Sequence, residues 1–336
     1  MSQGNLTVQH ANLIKHTRGD SYTITNHCDR PFKSVTIDAN GDCFLCICDA
    51  WLPISAGNIS SFNSLDEIWN NPQAKIIQQD ITDKTYKNCA VEKCGILDRN
   101  ITQYEYRINY CPDNSCNLAC PSCRKEMINY TSGEVFDSRA DKVNHFLSLL
   151  EKFDKPLSII LIGNGDPLAS LIMRPLVLNW QPKDRQKIIL FTNGLLLKKL
   201  LPESPVLPFI SEFQISVDAG TKEVYENVRR PGKFETLIEN LDWLMNNRPK
   251  RSTVTLKFTI SAGNADDIIN FAELCQRYKA RGEISNLINW YTFDDFNGQE
   301  VVNNTSHKLH PTAIEQLRAV STMPHLYIAP NLRKLI

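Results

Sequence analysis

Short apolar runs alternate with helical stretches between about residues 107 and 292, and this alternation constrains the fold more than any other feature. Between the first two runs, for example, Val143, Phe146 and Leu150 recur at helical spacing. Strands that alternate with such helices form a parallel sheet, expected here as a partial (β/α)6 barrel of the α/β class. The loops after such strands usually carry the chemistry. The expected strands are RINYC (107–111), SIILI (158–162), KIILFT (187–192), EFQISVD (212–218), TVTLKFTI (253–260) and LINWYTF (287–293).

The N-terminal part has a different pattern, which predicts a small cysteine-rich module of a hairpin and a helix. The segment VTIDANGDCFLCI places Asn40-Gly41 between two β-rich runs, which is a strong hairpin signal. Ser64 and Glu67 form a capping box before a helix that carries Trp69. Such a module is too small for a good core of its own, so a bound metal cluster would explain how it folds. The expected domains are this module at 1–105, the barrel at 106–300 and a partly helical C-terminal extension at 301–336.

Eleven cysteines are many for a chain of 336 residues, and ten of them lie between Cys28 and Cys123. The start, MSQGNLTVQHANLIKH, has no apolar signal core, and no apolar run is long enough to span a membrane. We therefore expect a cytoplasmic protein without a membrane partner, in which clustered thiols bind metal or act in catalysis rather than form disulfides. Lys plus Arg equals Asp plus Glu, 37 each, so the charge does not favour nucleic acid as a partner.

The sharpest motif, Cys116-Asn-Leu-Ala-Cys120-Pro-Ser-Cys123, directly follows the first expected barrel strand. Three thiolates on one loop can converge on one metal centre, and cysteine thiolates are the usual ligands of iron–sulfur clusters. A four-iron cluster bound in this way keeps one iron open to an exogenous ligand. The alternative is a structural zinc site, but zinc usually takes two separated pairs of ligands and closes all four positions with protein.

The loop CNLACPSC at the end of a first barrel strand resembles the hallmark of the radical S-adenosylmethionine (SAM) superfamily, and the resemblance covers roughly residues 107–293. It implies that Cys116, Cys120 and Cys123 bind a [4Fe-4S] cluster whose fourth iron is chelated by SAM. It also implies reductive cleavage of SAM to a 5′-deoxyadenosyl radical, which abstracts hydrogen from a substrate.

The resemblance extends to a glycine loop after the second strand, GNGDP, which stands where the family has a Gly-Gly-Glu-Pro stretch that binds the SAM amino group largely through its backbone. Asn164 and Asp166 depart from that pattern, and Ser122 stands where many relatives have an aromatic residue beside the adenine. The SAM-binding residues that the resemblance implies are Gly163, Asn164, Gly165, Asp166, Asn193, Ser216 and Asp218.

The cysteines of the N-terminal module resemble those of the auxiliary-cluster modules called SPASM and twitch domains, although in most relatives that module follows the barrel. Strand alternation places Cys46 and Cys48 on one face and Cys43 on the other, and Cys46 matches the family position. The resemblance implies one auxiliary [4Fe-4S] cluster, with a zinc site on the same thiolates as the open alternative. The implied ligands are Cys28, Cys46, Cys89 and Cys94.

The resemblance implies a radical SAM enzyme of oxidoreductase or peptide-modifying type. A ribosomally made peptide is the first substrate class, and dehydrogenation of a small alcohol or sugar is the second. The implied electron donor is a flavodoxin or ferredoxin. An alternative of another class is a non-catalytic zinc or iron–sulfur scaffold or binding protein, against which the neutral charge and the glycine loop both argue.

Overall fold

The computed structural model describes residues 27–47, 52–90, 94, 105–289 and 291–336. Cys48 lies outside these described residues. The chain forms two compact units: the first contains Met1–Asp113, Ser132–Gly163 and Pro182–Lys187, and the second contains Asn114–Thr131, Asn164–Gln181 and Ile188–Ile336. No helix in the described ranges is long and apolar enough to cross a membrane.

The first unit combines the N-terminal module with the first two strands of the predicted barrel. Its elements, in chain order, are α1 (Arg30–Lys33), β1 (Ser34–Ile37), β2 (Asp42–Phe44), β3 (Ser55–Asn58), α2 (Asp66–Asn70), α3 (Pro72–Thr82), β4 (Tyr106–Tyr110), α4 (Glu134–Lys152) and β5 (Leu157–Leu161). The strand order is β3-β2-β1-β4-β5. The Asn40-Gly41 turn joins β1 and β2, which pair antiparallel as predicted. β1 also pairs parallel with β4, so the hairpin and the first barrel strand share one sheet, which the sequence pattern does not predict.

Aromatic side chains stabilise the N-terminal module by joining its helix to this sheet. Trp69 of α2 donates from Nε1 to the Ser34 carbonyl at 3.3 Å, and its ring centroid lies 4.8 Å from that of Tyr106 on β4. Tyr106 in turn meets Phe153 edge to face, with centroids 5.4 Å apart. The sheet therefore supplies apolar contacts that a module of this size cannot provide by itself.

The second unit contains the rest of the predicted barrel. Its elements are α5 (Arg174–Leu178), β6 (Gln186–Thr192, from Ile188 onward in this unit), α6 (Leu197–Leu200), β7 (Ile210–Ser216), α7 (Lys222–Val228), α8 (Phe234–Asn247), β8 (Thr253–Ile260), α9 (Ile268–Arg277), β9 (Arg281–Asn286), α10 (His310–Val320), β10 (Leu326–Ile328) and α11 (Pro330–Arg333). The strands pair parallel in the order β6-β7-β8-β9-β10. Phe258 of β8 packs on Phe271 of α9, with ring centroids 5.0 Å apart. The α/β class with mostly parallel pairing is confirmed.

The sixth barrel strand lies earlier in the chain than the sequence predicts. The segment LINWYTF is not a strand in its described residues, and β9 is formed by RGEISN instead. Gly282 is a poor strand former, which hides this strand from an argument based on propensity. The packing requires glycine there, because a Cβ would lie 2.3 Å from Leu326 Cδ2 and 2.9 Å from Cys275 Sγ.

Candidate functional site

The loop after β4 carries the three cysteines of the sharpest motif, all within the second unit. Cys120 is buried, Cys116 is half-buried and Cys123 is exposed. The Cys123 amide donates to the Cys120 carbonyl at 2.9 Å, which tightens the end of the loop. Burial raises the pKa of Cys116 to about 11, and the carboxylate of Asp166 adds to the increase. A thiolate at this position therefore needs a cation to stabilise it, and metal binding would supply one.

Each of the three sulfurs accepts a hydrogen bond from a different side chain. The donors are Asn193 Nδ2 to Cys116 Sγ (3.8 Å), Arg229 Nη1 to Cys120 Sγ (3.6 Å) and Arg124 Nη2 to Cys123 Sγ (3.6 Å). Two of these donors are guanidinium groups. N–H groups directed at sulfur favour the thiolate, which is the form that binds iron.

Asp166 connects the glycine loop to the turn that follows β6. Its Oδ1 accepts hydrogen bonds from the amides of Leu168 (2.9 Å) and Ala169 (3.2 Å). Its Oδ2 accepts from Thr192 Oγ1 (2.8 Å) and from the Asn193 amide (2.6 Å). Burial raises the pKa of this carboxyl, while the four hydrogen bonds act in the opposite direction. Because these bonds fill the acceptor capacity of the carboxylate, Asp166 contributes to a SAM site through the backbone that it positions.

Gly165 lies against the backbone of the cysteine loop. A Cβ at this position would be 2.1 Å from the Ser115 carbonyl oxygen and 2.6 Å from the Asn114 carbonyl carbon. Arg124 donates to the Asn114 carbonyl at 2.6 Å and also to the carbonyl of Asn164. The close backbone approach expected at this glycine is therefore made to the protein's own loop.

Asp218 and Arg229 form an ion pair beside Cys120. The distance between Asp218 Oδ2 and Arg229 Nη2 is 3.0 Å, and the side chains are only 11% and 12% exposed. Asp218 has a φ of +57°, and its Oδ1 accepts from the Thr259 amide at 2.7 Å. Burial lowers the pKa of Arg229, but Asp218 and Cys120 together raise it above its ordinary value. The Tyr225 hydroxyl and Arg229 Nε are buried without a hydrogen-bond partner among the described residues, which fits a site built for a further group.

A cavity of about 280 Å³ opens beside the cysteine loop in the second unit. Pro121 and Ser122 of the loop, Asp218, and residues 261–264 after β8 all line it. Ser122, for which the resemblance implied a place beside the adenine, lies in this wall. A larger, open groove of about 730 Å³ lies along α4 in the first unit, and its lining contains none of the predicted site residues.

The remaining residues implied for SAM binding lie at the ends of strands. Ser216 is the last residue of β7 and pairs with Lys257 of β8. Gly163 lies two residues after β5 and belongs to the first unit. Sequence reasoning missed Arg124, Arg229 and residues 261–264. Arg229 is 109 residues from Cys120, and no spacing pattern connects the two positions.

The four cysteines predicted for the auxiliary cluster lie near one another in the first unit. Cys28, Cys89 and Cys94 pack against a small core that contains Tyr86. The thiols of Cys28 and Cys89 each interact electrostatically with those of Cys46 and Cys94. Burial raises the pKa of Cys28 to about 11 and that of Cys89 well above its ordinary range. As in the barrel loop, these thiols require a metal to become thiolates.

Three other cysteines lie elsewhere. Cys43 is fully buried, and its thiol donates to the Gly41 carbonyl at 3.7 Å. β2 ends at Phe44, so Cys46 lies beyond the strand on which alternation was expected to place it. Cys275 is buried in α9, and the Cys111 amide donates to the Ile37 carbonyl at 2.9 Å.

The spacing of the metal-binding side chains bears on the choice between zinc and iron–sulfur. Within the described ranges, no three His, Cys, Asp or Glu side chains stand close enough to hold one metal ion.

Residues 28–95 match the SPASM family, which is described as an iron–sulfur cluster-binding domain, and the match contains Cys28, Cys46, Cys89 and Cys94. The chain is also similar to an AdoMet-dependent heme synthase of Methanosarcina barkeri, with 26% identity over 170 residues. The aligned region covers 49% of this chain and 45% of that protein. Residues 28–95 thus match a SPASM domain, and the sequence relatives of the chain are radical SAM proteins. Radical SAM relatives bind a [4Fe-4S] cluster and SAM.

A second relative of this chain is the mycofactocin maturase MftC of Mycolicibacterium smegmatis, 25% identical over 205 residues. The alignment covers 60% of this chain and 47% of the maturase, so the chain spans about half the length of these curated relatives. A structure of anSMEcpe with bound AdoMet overlaps 63% of this chain and 57% of its own, with 16% identity and a TM-score of 0.44. Streptococcus suis SuiB bound to the precursor peptide SuiA overlaps 81% and 68%, with 13% identity and a TM-score of 0.41. These weak structural likenesses carry no argument about function.

Proposed function

We propose that this chain is a radical SAM enzyme with two [4Fe-4S] clusters. The cluster that binds SAM has Cys116, Cys120 and Cys123 as ligands, and the auxiliary cluster has Cys28, Cys46, Cys89 and Cys94. The observation that carries the proposal is the meeting of three features in the second unit: a loop of three cysteines, a glycine loop packed on it, and an adjoining cavity. When bound, the cluster and SAM supply one-electron reductive cleavage of SAM and hydrogen abstraction from the substrate.

The chain's own residues would position these groups. Asp166 holds the backbone around the glycine loop, which would bind the methionine part of SAM. Asn193 fixes the first cysteine through its amide donor. The cavity between Ser122 and residues 261–264 would take the adenosine part, with Asp218 in its wall.

We infer a ribosomally made peptide as the first substrate class, because one sequence relative is a maturase. The heme synthase relative keeps a small molecule as the second candidate, and dehydrogenation of a small alcohol or sugar belongs to that class. The proposed electron donor is a flavodoxin or ferredoxin. The high cysteine content, with ten of eleven cysteines between Cys28 and Cys123, supports a reducing, cytoplasmic setting.

The test is SAM cleavage by anaerobically reconstituted protein with a chemical reductant. The parent should release 5′-deoxyadenosine, and the triple variant Cys116→Ala/Cys120→Ala/Cys123→Ala should release none. Cys111→Ala is the matched control, because Cys111 is a nearby cysteine outside both sets, and it should behave like the parent. Release of 5′-deoxyadenosine by the triple variant would show that the assignment of the loop is wrong.

A further inference from the structure

We propose that Arg229 raises the reduction potential of the cluster on Cys116, Cys120 and Cys123 by donating a hydrogen bond to the Cys120 sulfur. This inference rests on the proposed function, since it requires that cluster. It assigns Arg229 as a positioning residue whose target is the electron-accepting centre.

The guanidinium of Arg229 is held in place from two sides. Nη2 pairs with Asp218 Oδ2 at 3.0 Å, while Nη1 donates to Cys120 Sγ at 3.6 Å. Asp218 is itself fixed, because its other oxygen accepts from the Thr259 amide at 2.7 Å. The backbone is also tied to the loop, since the Ala119 amide donates to the carbonyl of the next residue, Arg230, at 2.7 Å. Arg229 therefore cannot turn away from the sulfur without breaking a buried ion pair.

Reduction adds negative charge to a cluster, so a neighbouring positive charge stabilises the reduced form more than the oxidised form. Cluster potentials respond to net charge, to hydrogen bonds to sulfur and to solvent exposure. At Arg229 the first two raise the potential, because the group is cationic and donates to a ligand sulfur. Its side chain is only 12% exposed, so water screens its charge weakly. The partner Asp218 offsets part of the charge, but the guanidinium is the group in contact with the sulfur.

The two other sulfur donors allow a comparison within the same loop. Asn193 is neutral, so it contributes a dipole without a charge. Arg124 is cationic, but its partner Cys123 is exposed, and water screens the interaction there. Among the three donors, Arg229 should therefore have the largest effect on the potential.

The experiment is a potentiometric titration of the reconstituted full chain without SAM, followed by electron paramagnetic resonance. The triple cysteine variant identifies the signal of the barrel cluster, and the auxiliary cluster serves as an internal reference. In Arg229→Gln the ratio of reduced to oxidised barrel cluster at a fixed potential should fall about tenfold, which corresponds to about 59 mV for a one-electron couple. Arg124→Gln, the matched control, should change the ratio less than about threefold. Arg229→Lys keeps the charge and should recover part of the loss.

The outcomes separate this inference from the proposed function. A parent protein without a barrel cluster would defeat the proposed function. A barrel cluster that forms normally in Arg229→Gln, with its ratio unchanged, would overturn the inference alone. The inference would also be overturned if Arg229→Gln weakened SAM binding without changing the ratio, since Arg229 would then act on SAM. If Arg229→Gln does not fold because Asp218 is left unpaired, Arg229→Gln/Asp218→Asn removes both charges together with the hydrogen bond to sulfur, and it should show a smaller shift in the same downward direction. An unchanged ratio in this double variant would overturn the inference.

Discussion

At the scale of single residues, the carboxylate of Asp166 determines how the glycine loop meets the turn after β6. It accepts four hydrogen bonds from two chain segments and is buried. Asp166→Asn replaces one acceptor oxygen with a donor that faces other donors. The free energy of unfolding should fall by about 1–3 kcal/mol, the usual cost of buried polar groups left unsatisfied. Urea denaturation measures this loss, and Asp294→Asn, whose side chain is 95% exposed, should leave the midpoint unchanged.

The position of Gly165 leaves no room for a side chain. Because an added Cβ would meet the Ser115 carbonyl oxygen at 2.1 Å, Gly165→Ala should displace the cysteine loop. Iron in the barrel cluster should therefore decrease together with SAM binding. Gly133→Ala is the control: it adds strain at a φ of +90° but meets nothing within 4 Å. Iron analysis that finds full cluster loading in Gly165→Ala would contradict the packing argument.

The sequence predicts this site in part. The motif GNGDP identifies Gly165 and Asp166 as candidate site residues, and the cysteine loop identifies three proposed ligands. It does not identify the partners, because Thr192 and Asn193 lie 26 and 27 residues from Asp166 and only the fold brings them together. For the same reason the ion pair of Asp218 and Arg229 could not be predicted.

At the scale of elements, the end of α3 shapes the loop that leads to Cys89. Asp80 is buried, and its carboxylate accepts hydrogen bonds from the amides of Lys87 and Asn88, both at 3.1 Å, and from the Thr85 hydroxyl. The side chain of Asp80 therefore connects α3 to the loop that follows it by hydrogen bonds. A change at Asp80 should therefore act on the position of Cys89 rather than on the barrel.

Asp80→Ala should loosen this loop and weaken the auxiliary cluster. Iron should fall from about eight toward about four per chain while SAM cleavage chemistry at the barrel cluster is retained. Asp83→Ala, one turn later and exposed, is the control and should keep full iron. If Asp80→Ala kept both clusters at parent levels, Asp80 would have no part in placing Cys89.

The strands show where element prediction succeeds and where it fails. The segments RINYC, SIILI, KIILFT, EFQISVD and TVTLKFTI coincide with β4 to β8 within two residues, because buried parallel strands are continuous apolar runs. β9 was missed because it contains Gly282 between two charged residues, Arg281 and Glu283. The hairpin was predicted, but its parallel pairing with β4 was not, since local turn chemistry does not specify long-range partners.

At the scale of the whole molecule, each set of cysteines lies within a single unit. The first unit contains Cys28, Cys46, Cys89 and Cys94, and the second contains Cys116, Cys120 and Cys123. The ligands of each proposed cluster therefore come from one body of packed elements. We expect that either cluster can be removed without loss of the other, and that each stabilises its own unit.

The two clusters should differ in their response to SAM. The reconstituted parent should contain about eight irons per chain, and the triple variant of the barrel loop should keep about half. In that variant SAM should not change the spectrum of the remaining cluster, because four protein thiolates leave no iron open. The converse variant, with Cys28, Cys46, Cys89 and Cys94 changed to Ala, should keep a cluster whose spectrum does shift with SAM. Hydrogen exchange should show faster exchange in residues 28–89 of this variant, because a unit of this size depends on its metal.

Zinc in place of the auxiliary cluster would exclude a redox role for the SPASM domain. A SAM-dependent shift in the triple variant would mean that one of the four ligands is misassigned, and Cys48 would then be the first cysteine to test.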